Sequence, residues 1–289
     1  MQPTDPQLTA RFQFIDFLLL FKGRLTRAEL VSRFGIGEAT ASRAIAAYIE
    51  TYPNAMIFHG SRNGYEAAAG FIPAIIHSAE NGLRYIASGK IDESYPVETF
   101  GPETVDLRPD LNTSLAATIT RAIVNQHQVN IEYLSTTSGT KPRIILPHSL
   151  FEASSAWYFR AYDYSVSDYR TFKFTRVLSA ISLGTPAHLS FTRNKDAAWQ
   201  RIRYIQLIAH PKSSHPDSHW LDLGMPATGI KELAVSEACL GFVLTDLRVD
   251  CSRTGKLNAR EYPFKLVNLA ELEDVESITI APGFQHSKE

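Results

Sequence analysis

Residues 155–177 constrain the fold of this chain more than any other stretch. Two runs rich in aromatic and β-forming residues, 156–162 and 169–177, flank a polar turn holding Ser165, Ser167 and Asp168. Runs of that kind with a turn between them predict a β-hairpin. Side chains alternate across a strand. Tyr158, Arg160 and Tyr162 are therefore expected on one face, and Trp157, Phe159 and Ala161 on the other. On the second run Arg170, Phe172, Phe174 and Arg176 are expected to share a face. Arginines set among large aromatics need an explanation, because a buried guanidinium is costly unless it is paired.

Three motifs around the hairpin carry a family resemblance. Trp157, Tyr158 and Phe159 resemble the Trp-Tyr-Leu signature of WYL domains, with Phe159 keeping the apolar character of the third position. The run from Arg170 to Val177 resembles that family's Arg-x-Phe-x-apolar-x-Arg-Ile/Val strand. Ile144 to His148 resembles its strand ending in Pro-His. The resemblance implies a small SH3/Sm-like β-barrel that senses a ligand or nucleic acid. It also implies a DNA-binding winged helix ahead of the barrel.

The amino-terminal residues read that way on their own. Phe14, Phe17, Leu18 and Phe21 fall on one stripe of a helix over 9–21, and Gly23 follows as a cap. Thr26 and Glu29 make a capping box opening a short helix to about Phe34. Gly35, Ile36 and Gly37 form a turn, and a third helix over 38–51 packs through Ala41, Ala44, Ile45 and Tyr48. This is helix-turn-helix spacing, which an ordinary three-helix unit could share. Two short strands, 56–59 and 64–67, then predict a wing. In a winged helix the recognition helix enters the major groove by its amino-terminal end. The candidate DNA contacts are Arg27, Glu38, Thr40, Ser42 and Arg43, with Arg62 and Asn63 at the wing tip.

Residues 1–70 hold seven Lys/Arg against six Asp/Glu, and the whole chain has a net charge of −1. DNA binding must then come from a local surface, and tight binding needs two copies acting together. Residues 71–114 read as a connector, with a helix over 73–89 and a stretch over 92–110 carrying Pro96, Pro102 and Pro109. A helix over 115–126 opens the WYL-like domain, placed at 115–192. Strands follow at 129–134, 141–148, 156–162, 169–177 and 178–183. Residues 193–289 read as a small α+β unit, with strands at 201–210, 220–223 and 262–267 and a helix over 235–247.

The fold class expected is α+β multidomain: a winged helix-turn-helix, an SH3/Sm-like β-barrel, and a carboxy-terminal α+β domain. The order resembles the BrxR/CapW type of regulator. That resemblance implies a WCX-like dimerisation domain at 193–289 and a homodimeric repressor of a phage-defence operon.

Residues 136–192 hold six Lys/Arg and three Asp/Glu. Arginine forks grip phosphate or carboxylate, and aromatic faces stack on bases. The candidate ligand residues are His148, Tyr158, Arg160, Arg170, Phe172 and Arg176, with a nucleotide or nucleic acid as ligand. Large aromatics such as Trp157 and Phe172 equally suit a core.

No nucleophile elbow, phosphate-binding glycine loop or zinc-protease motif is present in the sequence. No enzyme activity and no cofactor are expected. His210, His215 and His219 lack ligand partners at metal spacing, so no metal is expected. Two cysteines, Cys239 and Cys251, and the absence of a signal peptide or a membrane-length apolar run suggest a cytoplasmic protein. The partners expected are a double-stranded operator with an inverted repeat and a second copy of the chain. The alternative reading is a nucleic-acid-binding accessory protein that modulates a partner enzyme. A hydrolase with a site assembled only in space is a third.

Overall fold

The computed structural model describes residues 5–60, 63–90, 109–224 and 229–286. Arg62 and most of the proline-bearing stretch expected over 92–110 lie outside the described residues. Contacts divide the chain into two compact units, Met1–Phe151 with Trp157–Leu189, and Glu152–Ala156 with Ser190–Glu289.

The first unit is built on α1 (Pro6–Phe21), where Asp5 caps the start and every residue from Phe14 to Phe21 is buried. A helix apolar all round belongs inside a core. α2 (Arg27–Phe34) opens on the expected Thr26–Glu29 capping box and closes on Gly35 at φ +60°, a backbone conformation that glycine adopts without strain. α3 (Glu38–Thr51) buries Ala41, Ala44, Ile45 and Tyr48, the four positions the periodicity selects. Three short strands, β1 (Arg24–Leu25), β2 (Met56–Phe58) and β3 (Tyr65–Ala67), form an antiparallel sheet in the order β1-β3-β2. β1 has only two residues, too few to show a strand period in the sequence.

One acid sits in the middle of α1. Asp16 is fully buried and accepts from the Tyr48 hydroxyl, the Ala74 amide at 3.0 Å and the Ile75 amide at 3.3 Å, with His77 Nε2 at 2.8 Å. Burial, and then the Asp16 carboxylate, push the Tyr48 pKa up. These bonds correct the helix expected over 73–89. The amides of 74 and 75 are committed to Asp16, so α4 spans only Ala79–Ser88, starting at the Ser78 cap. Ile76 is left fully exposed. Gly82 lets α4 lie close against α1, since a Cβ there would meet the Phe21 ring at 2.4 Å.

α5 (Thr113–Asn125) starts at the Asn112 cap and binds the end of α1. Arg121 Nε donates to the Leu20 carbonyl, and Asn125 Nδ2 donates to the Lys22 carbonyl at 3.1 Å. Burial lowers the Arg121 pKa. The sheet that follows contains β4 (His127–Ser135), β5 (Gly139–Ala153), β6 (Ala156–Asp163), β7 (Asp168–Lys173) and β8 (Val177–Pro186). Its order is β7-β6-β5-β4-β8.

Here the expected strand over 169–177 is corrected. It breaks after Lys173 into a 3-10 turn, Phe174–Arg176, and restarts as β8 against β4. Two contacts draw it off the ladder. The Lys173 amide donates to the Tyr133 hydroxyl at 3.1 Å, and the Phe174 ring packs edge-on to Phe159 at 5.0 Å. Phe174 and Arg176 therefore do not continue the face of Arg170 and Phe172. The same turn carries the chain from one edge strand to the other. In a flat sheet five strands wide those edges would lie about 19 Å apart. The four-residue step from Lys173 to Val177 reaches at most about 14 Å. The sheet is therefore curled, although no ladder joins β7 to β8 among the described pairings. One hydrophobic core runs from Phe12 of α1 through Ile119 of α5 to Phe159, Phe172 and Val177.

The second unit contains α6 (Ala197–Gln200), β9 (Ile202–Ala209), α7 (Pro216–Leu223), β10 (Lys231–Ser236), α8 (Leu240–Asp246), β11 (Val249–Asp250) and β12 (Phe264–Leu266). Its sheet runs β10-β9-β12-β11, with β11 and β12 parallel. Ile205, Leu207, Leu240, Leu244, Val249 and Ile278 are central to its core. Cys251 is buried there, and burial raises its thiol pKa to about 12.

Two expectations fail in this unit. Residues 220–223 are the last turn of α7, not a strand, because Pro216 starts a helix that Gly224 ends. Residues 235–247 are not one helix. Val235 and Ser236 finish β10 against Arg203 and Ile202, and Glu237 N–H turns to the Arg201 carbonyl at 3.0 Å. The helix begins only at Leu240, with Cys239 as its cap residue.

Candidate nucleic-acid interface and the arginine-bearing sheet

α2, the Gly35–Gly37 turn and α3 form a helix-turn-helix whose outward end gathers most of the predicted contact residues. Arg27 of α2 reaches α3 twice, with Nη2 3.0 Å from Glu38 Oε2 and Nη1 donating to Ser42 Oγ at 3.5 Å. Arg43 lies along its own helix, donating from Nη2 to Thr40 Oγ1 at 3.2 Å and from Nε to the Ala39 carbonyl at 3.4 Å. Glu38 and Arg43 are exposed, and Thr40 and Ser42 are half-buried. The buried side of α3 fixes this set, and solvent-exposed ion pairs of this kind break at little cost.

The wing is β2 and β3. Asn63 is exposed beside its tip, and His59 Nε2 lies 3.2 Å from Glu66 Oε2. Phe58, 56% exposed, stacks obliquely on Tyr65 at 4.9 Å. A cavity of about 470 Å³ between the helices and the wing is lined by Arg27, Glu38, Ser42, Phe58 and Tyr65 among others. Phe58 adds an exposed aromatic to this cavity, as expected for a ring in a hairpin this short, one side of which has no core.

The β6–β7 register decides which predicted ligand residues can meet. Tyr158, Arg160 and Tyr162 pair with Lys173, Thr171 and Tyr169, while Phe159, Ala161 and Asp163 pair with Phe172, Arg170 and Asp168. Directly paired residues share a face. Arg160 and Arg170 are therefore on opposite faces, and no single face holds Tyr158, Arg160, Arg170 and Arg176.

Arg160 is buried, with Nη1 donating to Thr171 Oγ1 at 3.3 Å. On its face Tyr158 stacks on Phe151 at 5.4 Å, and Lys173 Nζ lies 5.8 Å from the centre of the Tyr158 ring. Tyr162 contacts Tyr164 and Tyr169 edge-on, and His148 meets Tyr169 edge-on at 5.7 Å. His148 also lies 2.9 Å from Ser149 Oγ through Nδ1.

On the other face Arg170 Nη2 is 3.0 Å from Asp168 Oδ2. Phe172 is 3% exposed, stacked on Phe159 and edge-on to Tyr133, which makes it a core residue. Arg176 sits in the 3-10 turn, half-buried, with no hydrogen-bond or ion-pair partner among the described residues. Lys173 and Tyr169 were missed as members of the Tyr158 face. Register across a hairpin cannot be counted until the turn is known.

Among the described residues no group of three or more His, Cys, Asp or Glu is placed to hold a metal. No described helix is long and apolar enough to cross a membrane.

Comparison with known proteins agrees with both modules. Residues 7–87 match the family described as BrxR transcriptional regulator winged helix-turn-helix domain, and residues 114–181 match the WYL domain family. The chain is 29% identical over 210 residues to the DNA-binding transcriptional repressor CapW of Escherichia coli (strain KTE188), covering 70% of this chain and 69% of that one. It is 26% identical over 230 residues to CapW of Pseudomonas aeruginosa, with 73% and 76% covered. It is 24% identical over 264 residues to CapW of Stenotrophomonas maltophilia, with 87% of each chain covered. Against the solved structure of proteasome accessory factor B/C of Arthrobacter aurescens the TM-score is 0.26 at 16% identity, over 95% of this chain and 47% of that one. With a BrxR-type winged helix-turn-helix followed by a WYL domain, the chain is a WYL-domain transcriptional regulator.

Proposed function

We propose that this regulator is a DNA-binding repressor that acts without enzymatic activity. It binds as a homodimer to an inverted repeat upstream of a phage-defence operon. The observation that carries this reading is the outward end of α3. Thr40, Ser42 and Arg43 present donors suited to phosphates and base edges, on a helix locked by Tyr48 and Ile45. The relatives named as DNA-binding transcriptional repressors support it.

Arg27 of α2 joins the phosphate-contacting set, and Asn63 and Arg62 serve the wing. Two-fold symmetry of the dimer makes the operator palindromic. The second unit supplies the dimer contact, as a WCX-like domain. Ile202 and Tyr204, 50% and 57% exposed on the outward side of β9, are apolar groups suited to a partner copy.

The curled sheet acts as the SH3/Sm-like sensor of a nucleotide or nucleic acid. Its ligand face centres on Tyr158, Arg160 and Lys173, with His148 at the margin and Arg176 in the turn that follows β7. α5 is the mechanical link, since its Arg121 and Asn125 hold carbonyls at the end of α1. A ligand that favours one sheet arrangement over the other can then move the winged helix by a coupling of about 1–3 kcal/mol.

The test is titration of the chain's own upstream DNA by wild type and by Thr40→Ala/Arg43→Ala. Wild type should shift a palindromic fragment, with affinity falling steeply as salt rises. The double variant should lose sequence-specific binding while keeping its melting temperature. Unchanged affinity in the double variant would refute α3 as the reading helix. A lack of any sequence preference in wild type would refute the repressor.

A further inference from the structure

The second unit contains a basic cavity that neither the DNA contacts nor the sheet face uses. Its volume is about 830 Å³, within the range of small-ligand pockets. Lys212, Lys256 and Arg260 line it, together with Ser213, Ser218 and Asn258, and none of the described lining residues is an Asp or Glu. The three cations are exposed, and their side chains have no hydrogen-bond or ion-pair partner among the described residues. Like charges around one concavity repel, so the arrangement is unfavourable until an anion enters it.

A buried pair holds the two loops that carry these cations. His210 and Asp250 are fully buried, with His210 Nε2 3.1 Å from Asp250 Oδ2. The Lys212 amide donates to His210 Nδ1 at 3.2 Å, so Nδ1 is the acceptor and Nε2 carries the proton toward Asp250. Asp250 in turn accepts the Ser252 amide at 2.7 Å and the Leu257 amide at 2.9 Å. Ser252 Oγ accepts the Lys256 amide at 2.9 Å. The loop bearing Lys212 and the loop bearing Lys256 are thus fixed through one hydrogen-bonded floor. Such pre-organisation is what a specific site requires and a solvated charge cluster does not.

We propose that this cavity binds a small phosphorylated anion, held by its phosphates. Ammonium and guanidinium donors with hydroxyl and amide groups suit phosphate oxygens. Among the described residues no Phe, Tyr or Trp lines the cavity; its only rings are the small imidazoles of His215 and His219, so recognition rests on the phosphates rather than on a nucleobase or a strand. The proposal stands independently of the repressor reading.

The experiment is calorimetric titration of the full chain with pyrophosphate at fixed ionic strength. Wild type should bind saturably with a raised melting temperature. Lys256→Gln/Arg260→Gln should bind about tenfold more weakly or worse, with a melting temperature in the absence of ligand equal to or slightly above that of wild type. Arg43→Ala and Arg170→Ala should bind as wild type does. ADP should match pyrophosphate, and a short single-stranded oligonucleotide should not displace it. No saturable binding, equal binding by the Lys256/Arg260 variant, loss of binding on Arg170→Ala, a large advantage for ADP, or displacement by the oligonucleotide would each overturn the assignment.

Discussion

Arg160 and Arg170 stand on opposite faces of one antiparallel ladder, Arg160 directly across from Thr171 and Arg170 directly across from Ala161. Sequence spacing alone placed them together. Their settings differ as well, since Arg160 is 7% exposed while the Arg170 side chain is 40% exposed beside Asp168. Arg160→Ala removes a packed stem and a buried donor and should cost about 1–3 kcal/mol in urea unfolding. Arg170→Ala should stay within about 0.5 kcal/mol of wild type. With the ligand site on the Tyr158 face, Arg170→Ala should also keep the response of operator affinity to ligand. Equal destabilisation by both substitutions would contradict the register.

Asp16 ties α1 to α3 and to the segment before α4. Its carboxylate serves the Tyr48 hydroxyl, the amides of Ala74 and Ile75, and His77. Asp16→Ala leaves these groups without their acceptor and should destabilise by about 3–5 kcal/mol. Tyr48→Phe removes one donor and keeps the others satisfied, so about 1–2 kcal/mol is expected. Hydrogen exchange separates the two. The Ala74 and Ile75 amides should exchange faster in Asp16→Ala and at near wild-type rates in Tyr48→Phe.

What the sequence discloses and what it hides divide along contact distance. Thr26 and Glu29 are three residues apart, and Ala41, Ala44, Ile45 and Tyr48 follow a helical period, so local rules suffice for α2 and α3. The Asp16 bonds to Ala74 and His77 span 58 and 61 residues and leave no local pattern. The break at Phe174 depends on Tyr133 and Phe159, both distant in sequence, while the run itself reads as unbroken strand. In the second unit, Leu233 to Leu240 is short and apolar enough to fit strand or helix, and only pairing with β9 settles it. The candidate site residues divide the same way: the outward placement of Thr40, Ser42 and Arg43 follows from one helical period, whereas the make-up of the sheet face depends on a register between strands.

Asp250 gives the second unit a specific acid sensitivity. Burial alone would raise its pKa, but hydrogen bonds from Ser252, the Leu257 amide and His210 hold it below the ordinary 3.8. A carboxylate with a depressed folded pKa contributes its full stability above the ordinary value. That contribution is lost as the pH falls through the folded value. Asp250→Asn should lower stability at neutral pH and flatten the fall in stability below about pH 3.8. Thermal melts between pH 2 and 7 for both proteins provide the check (about 2 and 7 as working limits around the ordinary carboxylate range). Parallel acid limbs would assign the acid sensitivity to other carboxylates.

If Arg27 meets a DNA phosphate, as proposed above, Glu38 competes for the same guanidinium, with Arg27 Nη2 3.0 Å from Glu38 Oε2. The Arg27–Glu38 pair is exposed on both sides, 50% and 72% for the two side chains, so its own contribution to stability is small. Its effect on DNA binding is larger in principle. Approaching phosphate must displace one carboxylate from Arg27 and also tolerate that carboxylate nearby. Glu38→Gln keeps the side-chain length, removes the charge, and frees Arg27 for the backbone. Non-specific duplex binding should tighten, and the slope of log affinity against log salt should steepen by about one counterion, roughly 0.9 for duplex DNA. Binding to the operator should gain less than binding to random sequence, because a glutamate at the head of a recognition helix also repels phosphate in wrong registers. The discrimination ratio should therefore fall while the melting temperature holds. Fluorescence anisotropy on operator and scrambled duplexes across a salt series measures both quantities. A variant that loses operator affinity with no change in salt slope would instead show Glu38 accepting a hydrogen bond from a base edge, as a cytosine amine would donate.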